Sequence, residues 1–110
     1  WILAEQQSIK SALYYWIGSE TDWRGTIPTL RKIPFNNKID EAEKIDQIIA
    51  WLDLPQKERP GLIMSWWRGT DNVGHRYGPF SKEVKNKLFE QDLYLGRLLV
   101  ELDKRSCTGY

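Results

Sequence analysis

Asp71 and His75 stand four residues apart in the run Asp71-Asn72-Val73-Gly74-His75, and His75 is the single histidine of the chain. A carboxylate and an imidazole at that spacing can converge on one divalent cation, with Gly74 letting the backbone between them fold tightly. Two ligands do not complete a zinc site, which takes three or four. An Asp in a turn commonly caps its own backbone, and a lone His is commonly a surface or satisfied polar residue. Spacing alone leaves both roles open, and the bland one is the commoner.

The elements that must position this pair can be read on either side of it. Residues 61–67 (GLIMSWW) carry no polar side chain except Ser65, which is the pattern of a buried strand. That strand would place one or both of Trp66 and Trp67 in a core. Its end leads into Arg68-Gly69-Thr70-Asp71. Residues 12–16 (ALYYW) form a second buried-strand run, closed by Gly18-Ser19. The apolar residues of 1–10 suit a short helix. Residues 18–38 hold no persistent period and are expected to form a long loop, of a length that is usually functional inside a compact domain. Asp40 is an N-cap for a helix over 40–52, in which Ala42, Ile45, Ile48, Ile49 and Leu52 recur at three- and four-residue steps before Pro55. Ser81 caps a last helix reaching about Lys104, whose stripe of Val84, Leu88, Leu95, Leu99 and Leu102 is expected to be core, with Asp92 bonded to a neighbouring loop.

Helix, strand, loop, helix, strand, loop, helix is the order of an α/β layered fold with a mostly parallel sheet. In such sheets ligands gather at the carboxyl ends of the strands, and Asp71 and His75 are expected on a loop there. Two strands cannot support a buried parallel sheet alone, so the fold is expected to continue past both ends. The abrupt Trp1-Ile2-Leu3-Ala4 opening agrees with an internal piece.

Composition narrows the class further. With 41% hydrophobic and 28% charged residues the chain can bury a modest core. A net charge of +1 with no run of like charges gives no basic face for a nucleic-acid duplex. The longest apolar run falls far short of the roughly 20 residues of a membrane span. Cys107 is the only cysteine, so any disulfide would pair it outside this chain. Oligomeric state is left open.

Several segments carry a resemblance to a known family. Residues 69–79, Gly-Thr-Asp-Asn-Val-Gly-His-Arg-Tyr-Gly-Pro, resemble the PD-x-x-GH-x-YGP motif of the nucleotide pyrophosphatase/phosphodiesterases of the alkaline phosphatase superfamily. Ile9-Lys10-Ser11-Ala12 with Trp16-Ile17-Gly18-Ser19-Glu20 is similar to LKSAT…WPGS[DE]; Ile27-Pro28-Thr29 resembles an FPT or RPT step. Trp51-Leu52-Asp53-Leu54-Pro55 and Glu58-Arg59-Pro60 resemble WLDLP…ERP. The matches fall in the family's order across essentially the whole chain.

The resemblance implies an alkaline-phosphatase-like α/β/α sandwich of which residues 1–110 are a partial catalytic domain. It implies that Asp71 and His75 hold one of two zinc ions, with a later histidine outside the chain. It also implies a nucleotide pocket lined by Trp16 and, at the place of a stacking tyrosine, Phe35. Core packing is the competing role for Trp16. The family's threonine nucleophile lies upstream and its Asp-His-Gly metal motif downstream, so no catalytic nucleophile is assigned within 1–110 and the piece alone is expected to be inactive. Hydrolysis of phosphodiester or pyrophosphate bonds in nucleotides, outside the cell, on its surface or in the secretory lumen, is the implied activity.

Departures from the pattern bear on this. Ile17 replaces a proline, and Arg68-Gly69-Thr70 replaces Glu-Glu-Pro or related residues beside the cation site, which leaves lipid phosphodiesters open as substrates and an inactive member as a rival. A rival of another class is a non-catalytic module whose six Trp stack on a carbohydrate or peptide; it requires exposed indoles.

Overall fold

The computed structural model describes residues 1–105; Cys107 lies outside them. Seven elements follow one another: α1 (Ile2–Gln6), β1 (Ser11–Tyr14), β2 (Leu30–Lys32), α2 (Glu41–Leu52), β3 (Leu62–Ser65), α3 (Gly69–Tyr77) and α4 (Lys82–Lys104). The three strands form one sheet in the order β2-β1-β3, and both pairings are parallel.

All four residues of β1 are buried, whereas those of β2 and β3 are half-buried. A strand covered on both faces and hydrogen-bonded on both edges has no place for an alternating polar residue, which is why the run after Ser11 is apolar or aromatic. Ala12 pairs with Leu30 on one side and Ile63 on the other. The core joins Ala12, Tyr14 and Tyr15 to Ile48, Trp51 and Leu52 of α2, with Tyr14 and Trp51 rings 6.1 Å apart. Burial and the nearby Glu43 carboxylate push the Tyr14 hydroxyl up to about 12, so it stays neutral in that core.

Helix starts obey the capping rule. The Asp40 side chain accepts from the Ala42 amide at 3.0 Å, and Ser81 accepts from Val84 at 3.2 Å. Helix α4 packs against α2 and α3. Among the described residues no helix is long and apolar enough to cross a membrane.

Four expectations are corrected. Residues 18–38 are not one loop, because Leu30–Lys32 joins the sheet as β2; three residues with two basic side chains carry too little pattern to announce a strand, and pairing with β1 decides it. The α4 stripe is not core along its length. Val84 is buried and Leu102 packs on the core, but Leu88, Leu95 and Leu99 are about half exposed, since the described residues cover them only in part. Asp92 is exposed on α4, and its side chain makes no hydrogen bond to a loop among the described residues. Trp66 and Trp67 lie beyond the end of β3 and are half-buried, so neither is a core residue.

One carboxylate ties the edge of the sheet together. Glu5 Oε1 accepts from the Ser11 amide (2.7 Å), the Ser11 hydroxyl (2.6 Å), the Thr29 amide (2.8 Å) and the Thr29 hydroxyl (3.0 Å). Burial opposes the charge, but these donors outweigh it and hold the Glu5 carboxyl below its ordinary value. A carboxyl whose pKa is lowered on folding adds stability above its unfolded pKa and loses it as pH falls through the folded one. Stability should therefore decline from about pH 4.5 downward. Glu5→Gln should flatten that acid slope, and Glu5→Ala should cost about 2–3 kcal/mol at neutral pH; thermal unfolding across pH checks both.

Candidate active site

The chain leaves β1 and β3 at the same edge, because the strands are parallel. At the end of β1, Tyr15 takes a left-handed backbone (φ 54), a conformation costly for a bulky residue, and turns the chain out of the sheet into Trp16. At the end of β3, the Trp66 amide still donates to Tyr14 O (3.1 Å), and its carbonyl accepts from Lys44 Nζ (2.8 Å). Trp67 and Arg68 follow, and α3 begins at Gly69.

Asp71 and His75 are thus on a helix, not on the loop that glycine content suggested. Gly69 and Gly74 are poor helix formers, but α3 packs on α4, where a Cβ on Gly74 would sit 3.9 Å from Val84. Tertiary packing overrides the propensity. The helix ends at Gly78, whose φ of 89 is open to glycine. On a helix, residues four apart share a face, and Asp71 Oδ1 lies 3.4 Å from His75 Nε2. Both side chains are largely exposed, and both line an open cavity of about 490 Å³ with Thr70, Gly74, Pro79 and Val84. No group of three or more His, Cys, Asp or Glu that could hold a metal occurs among the described residues. The pair is a half-site.

A second cavity, of about 400 Å³, lies on the other flank of α3. Its aromatic wall is Phe35, Tyr15 and Trp66, with the Phe35 ring 5.3 Å from Tyr15 and 5.5 Å from Trp66. Polar groups from Asn36, Lys44 and Arg68 also border it. Trp16 is half-buried and lines neither cavity. The Arg68 guanidinium donates to Asn37 O (3.3 Å) and Asn72 Oδ1 (2.9 Å). Of the six tryptophans, only Trp23 is exposed, while Trp51 is buried.

The second cavity is also bordered by a set of buried charges that the motifs did not announce. Glu41 and Lys44, the latter 3% exposed, sit in the interior at the start of α2. Glu41 Oε1 accepts from the Gly69 amide and from Gln91 Nε2, each at 2.8 Å. Burial, against the pull of Glu41 and with the push of Lys87, lowers the Lys44 ammonium from its ordinary value. Burial opposes the Lys87 charge too, but the carboxylates of Glu90 and Glu41 outweigh it and raise that group. A signal did exist: positions 41, 44, 48 and 51 share the helical step of the buried face.

A family description, type I phosphodiesterase/nucleotide pyrophosphatase, matches residues 1–109. The chain belongs to that family. An uncharacterized pyrophosphatase/phosphodiesterase of Schizosaccharomyces pombe is 39% identical over 106 residues, 96% of this chain and 22% of that protein. The venom phosphodiesterase of Macrovipera lebetinus is 35% identical over 106 residues, covering 96% of this chain and 12% of its own. Ectonucleotide pyrophosphatase/phosphodiesterase family member 3 of Bos taurus is 36% identical over 109 residues, 99% of this chain and 12% of its own.

In structure, murine ectonucleotide pyrophosphatase/phosphodiesterase 5 in an inactive form with AMP superposes with a TM-score of 0.79 at 24% identity. It covers 96% of this chain and 28% of that one. The human counterpart gives 0.79 at 26%, with the same coverage. The three parallel strands and their helices are accordingly part of an alkaline-phosphatase-like α/β fold. The chain spans less than a third of each of these relatives.

A Cβ on Gly69 would fall 2.3 Å from Lys87 Cε, 2.8 Å from Glu41 Oε2 and 2.9 Å from Gln91 Nε2. Gly69→Ala should displace these side chains and cost about 1–3 kcal/mol, as overpacking does, measured by denaturant unfolding.

Proposed function

We propose that the complete protein carrying this segment hydrolyses phosphodiester or pyrophosphate bonds of nucleotides, with Asp71 and His75 as two ligands of a catalytic zinc. The observation that supports it best is the placement of a carboxylate and an imidazole 3.4 Å apart on one exposed helix face at the carboxyl edge of a parallel sheet. Carboxylate oxygen and imidazole nitrogen suit zinc, and the open cavity in front of them leaves room for the further ligands a complete site needs.

A zinc held there, one of two in the complete site, would act as a Lewis acid on a phosphoryl oxygen and neutralise charge as it builds. The part this chain plays is to hold ligands and substrate. Asp71 and His75 present their donor atoms from a rigid helix rather than a mobile loop. Phe35, backed by Tyr15 and Trp66, offers a ring face on which a nucleobase can stack. The murine relative was solved with AMP, a ligand of the size and chemistry such a wall would take. Trp16, at the same sheet edge, is assigned to the rim of the nucleotide site beside the cavity rather than within it. Residues 1–110 supply no nucleophile and are assigned no hydrolysis of their own; they form a part of the catalytic domain. Relatives named as venom enzymes and ectonucleotidases support action outside the cell or in the secretory lumen.

In the complete protein, Asp71→Ala and His75→Ala should each lower kcat/KM for a nitrophenyl nucleotide ester by more than about 100-fold. Loss of a ligand should exceed the 10–100-fold typical of outer-shell changes. Activity should vanish on chelation and return with added zinc. Turnover unchanged in both variants would remove their assigned role. Phe35→Ala should raise KM by about 10-fold, the weight of one base–aromatic stack, while leaving kcat nearly as it was.

A further inference from the structure

Helix α3 has no cap of its own. Its N-cap position is Arg68, which makes no capping hydrogen bond, and its first residue is a glycine. A nine-residue helix with two glycines is marginal in isolation, so where it starts and how it is rotated must be set from outside. Among the described residues, the only side-chain oxygen on its first amide comes from Glu41, at the head of α2, 28 residues earlier in the chain.

That carboxylate is 5% exposed. One oxygen accepts from Gly69 N and from Gln91 Nε2 of α4; the other has no hydrogen bond among the described residues and lies 3.6 Å from Lys87 Nζ. Removal of a carboxylate from water is unfavourable unless donors and positive charge meet it. Here the amide end of α3, Lys87 and the amide of Gln91 do so. The arrangement needs glycine at 69, since any Cβ would enter the space of Lys87, Glu41 and Gln91. Three helices thus meet at one carboxylate, two residues before Asp71.

We propose that Glu41 is a positioning residue for the metal site: as a cap supplied by another helix, it fixes the first turn of α3 and thereby the direction in which Asp71 and His75 point. The inference rests on the zinc assignment made above. Glu41 lies among the groups bordering the Phe35 cavity, so the same side chain joins the wall of the nucleotide cavity to the helix of the metal pair.

The complete protein tests it with Glu41→Ala, Glu41→Asp, Glu41→Gln and, as control, Asp71→Ala. Zinc affinity is measured by competition with a chromogenic chelator, exchange protection at the Gly69 amide by mass spectrometry, and kcat and KM with the nitrophenyl nucleotide ester. Glu41→Ala should weaken zinc binding and kcat by about 10-fold or more, with Gly69 exchanging faster. Glu41→Gln keeps an oxygen on the amide and should restore most of the affinity; Glu41→Asp keeps the charge but withdraws the oxygen and should not. If Glu41→Ala does not fold, the order of the Gln and Asp variants decides, and Asp binding zinc as well as or better than Gln overturns the proposal. It is equally overturned if all three bind zinc like the parent while Asp71→Ala does not. Zinc affinity unchanged in Asp71→Ala instead overturns the metal assignment itself, and the inference with it.

Discussion

Everything in this chain is arranged around the parallel pairing of β1 with a strand on each side. Its four residues are wholly buried, so their amides and carbonyls must find partners; the Ser11 amide takes the Glu5 carboxylate, and the neighbouring strands serve the rest of the ladder. Leu30–Lys32 and Leu62–Ser65 do so in parallel register. Parallel pairing has a geometric consequence: all three strands end at one edge, and the segments that leave β1 and β3 are delivered side by side. Trp16, Phe35 and the Asp71–His75 pair come from separate stretches of sequence and are gathered at that edge for this reason.

What converts an edge into a site is the way α3 is held. A helix presents residues four apart on one face with less freedom than a loop, and Asp71 and His75 face one another because of it. The helix forms despite its glycines because α4 lies along it and Glu41 meets its first amide. The glycines that weaken its propensity are the same ones that allow close approach, Gly69 to the Glu41, Lys87 and Gln91 side chains and Gly74 to Val84. Low propensity and tight packing are two sides of one choice.

The buried charges impose a cost that the apolar core does not. Glu41 and Lys44 occupy positions on the inner face of α2 where aliphatic residues would pack without desolvation. Their neighbours Lys87, Glu90, Gln91 and the Trp66 carbonyl are spread over α4 and the end of β3. Such a network specifies how three elements fit together in a way that a greasy contact, tolerant of sliding, does not. Along the rest of α4, by contrast, Leu88, Leu95 and Leu99 remain about half exposed, only partly covered by the described residues.

The sequence by itself determined the alternation of helices and strands, the caps at Asp40 and Ser81, and the motif that names the family, because each of these is a local property: a period, a hydrogen bond to a neighbouring amide, a run of residue types. On the inner face of α2, Ile45, Ile48 and Leu52 were also legible, whereas Glu41, Lys44 and Trp51 were not. Only the tertiary structure decided that residues 69–77 are helical, that Leu30–Lys32 is a strand, that Trp66 and Trp67 stop short of the core, and that Phe35 rather than Trp16 lines a cavity. Each of those depends on a partner distant in sequence: α4 against α3, β1 against β2, Tyr15 and Trp66 around Phe35. Local pattern records what a residue prefers, and packing against such partners decides which preference is overruled.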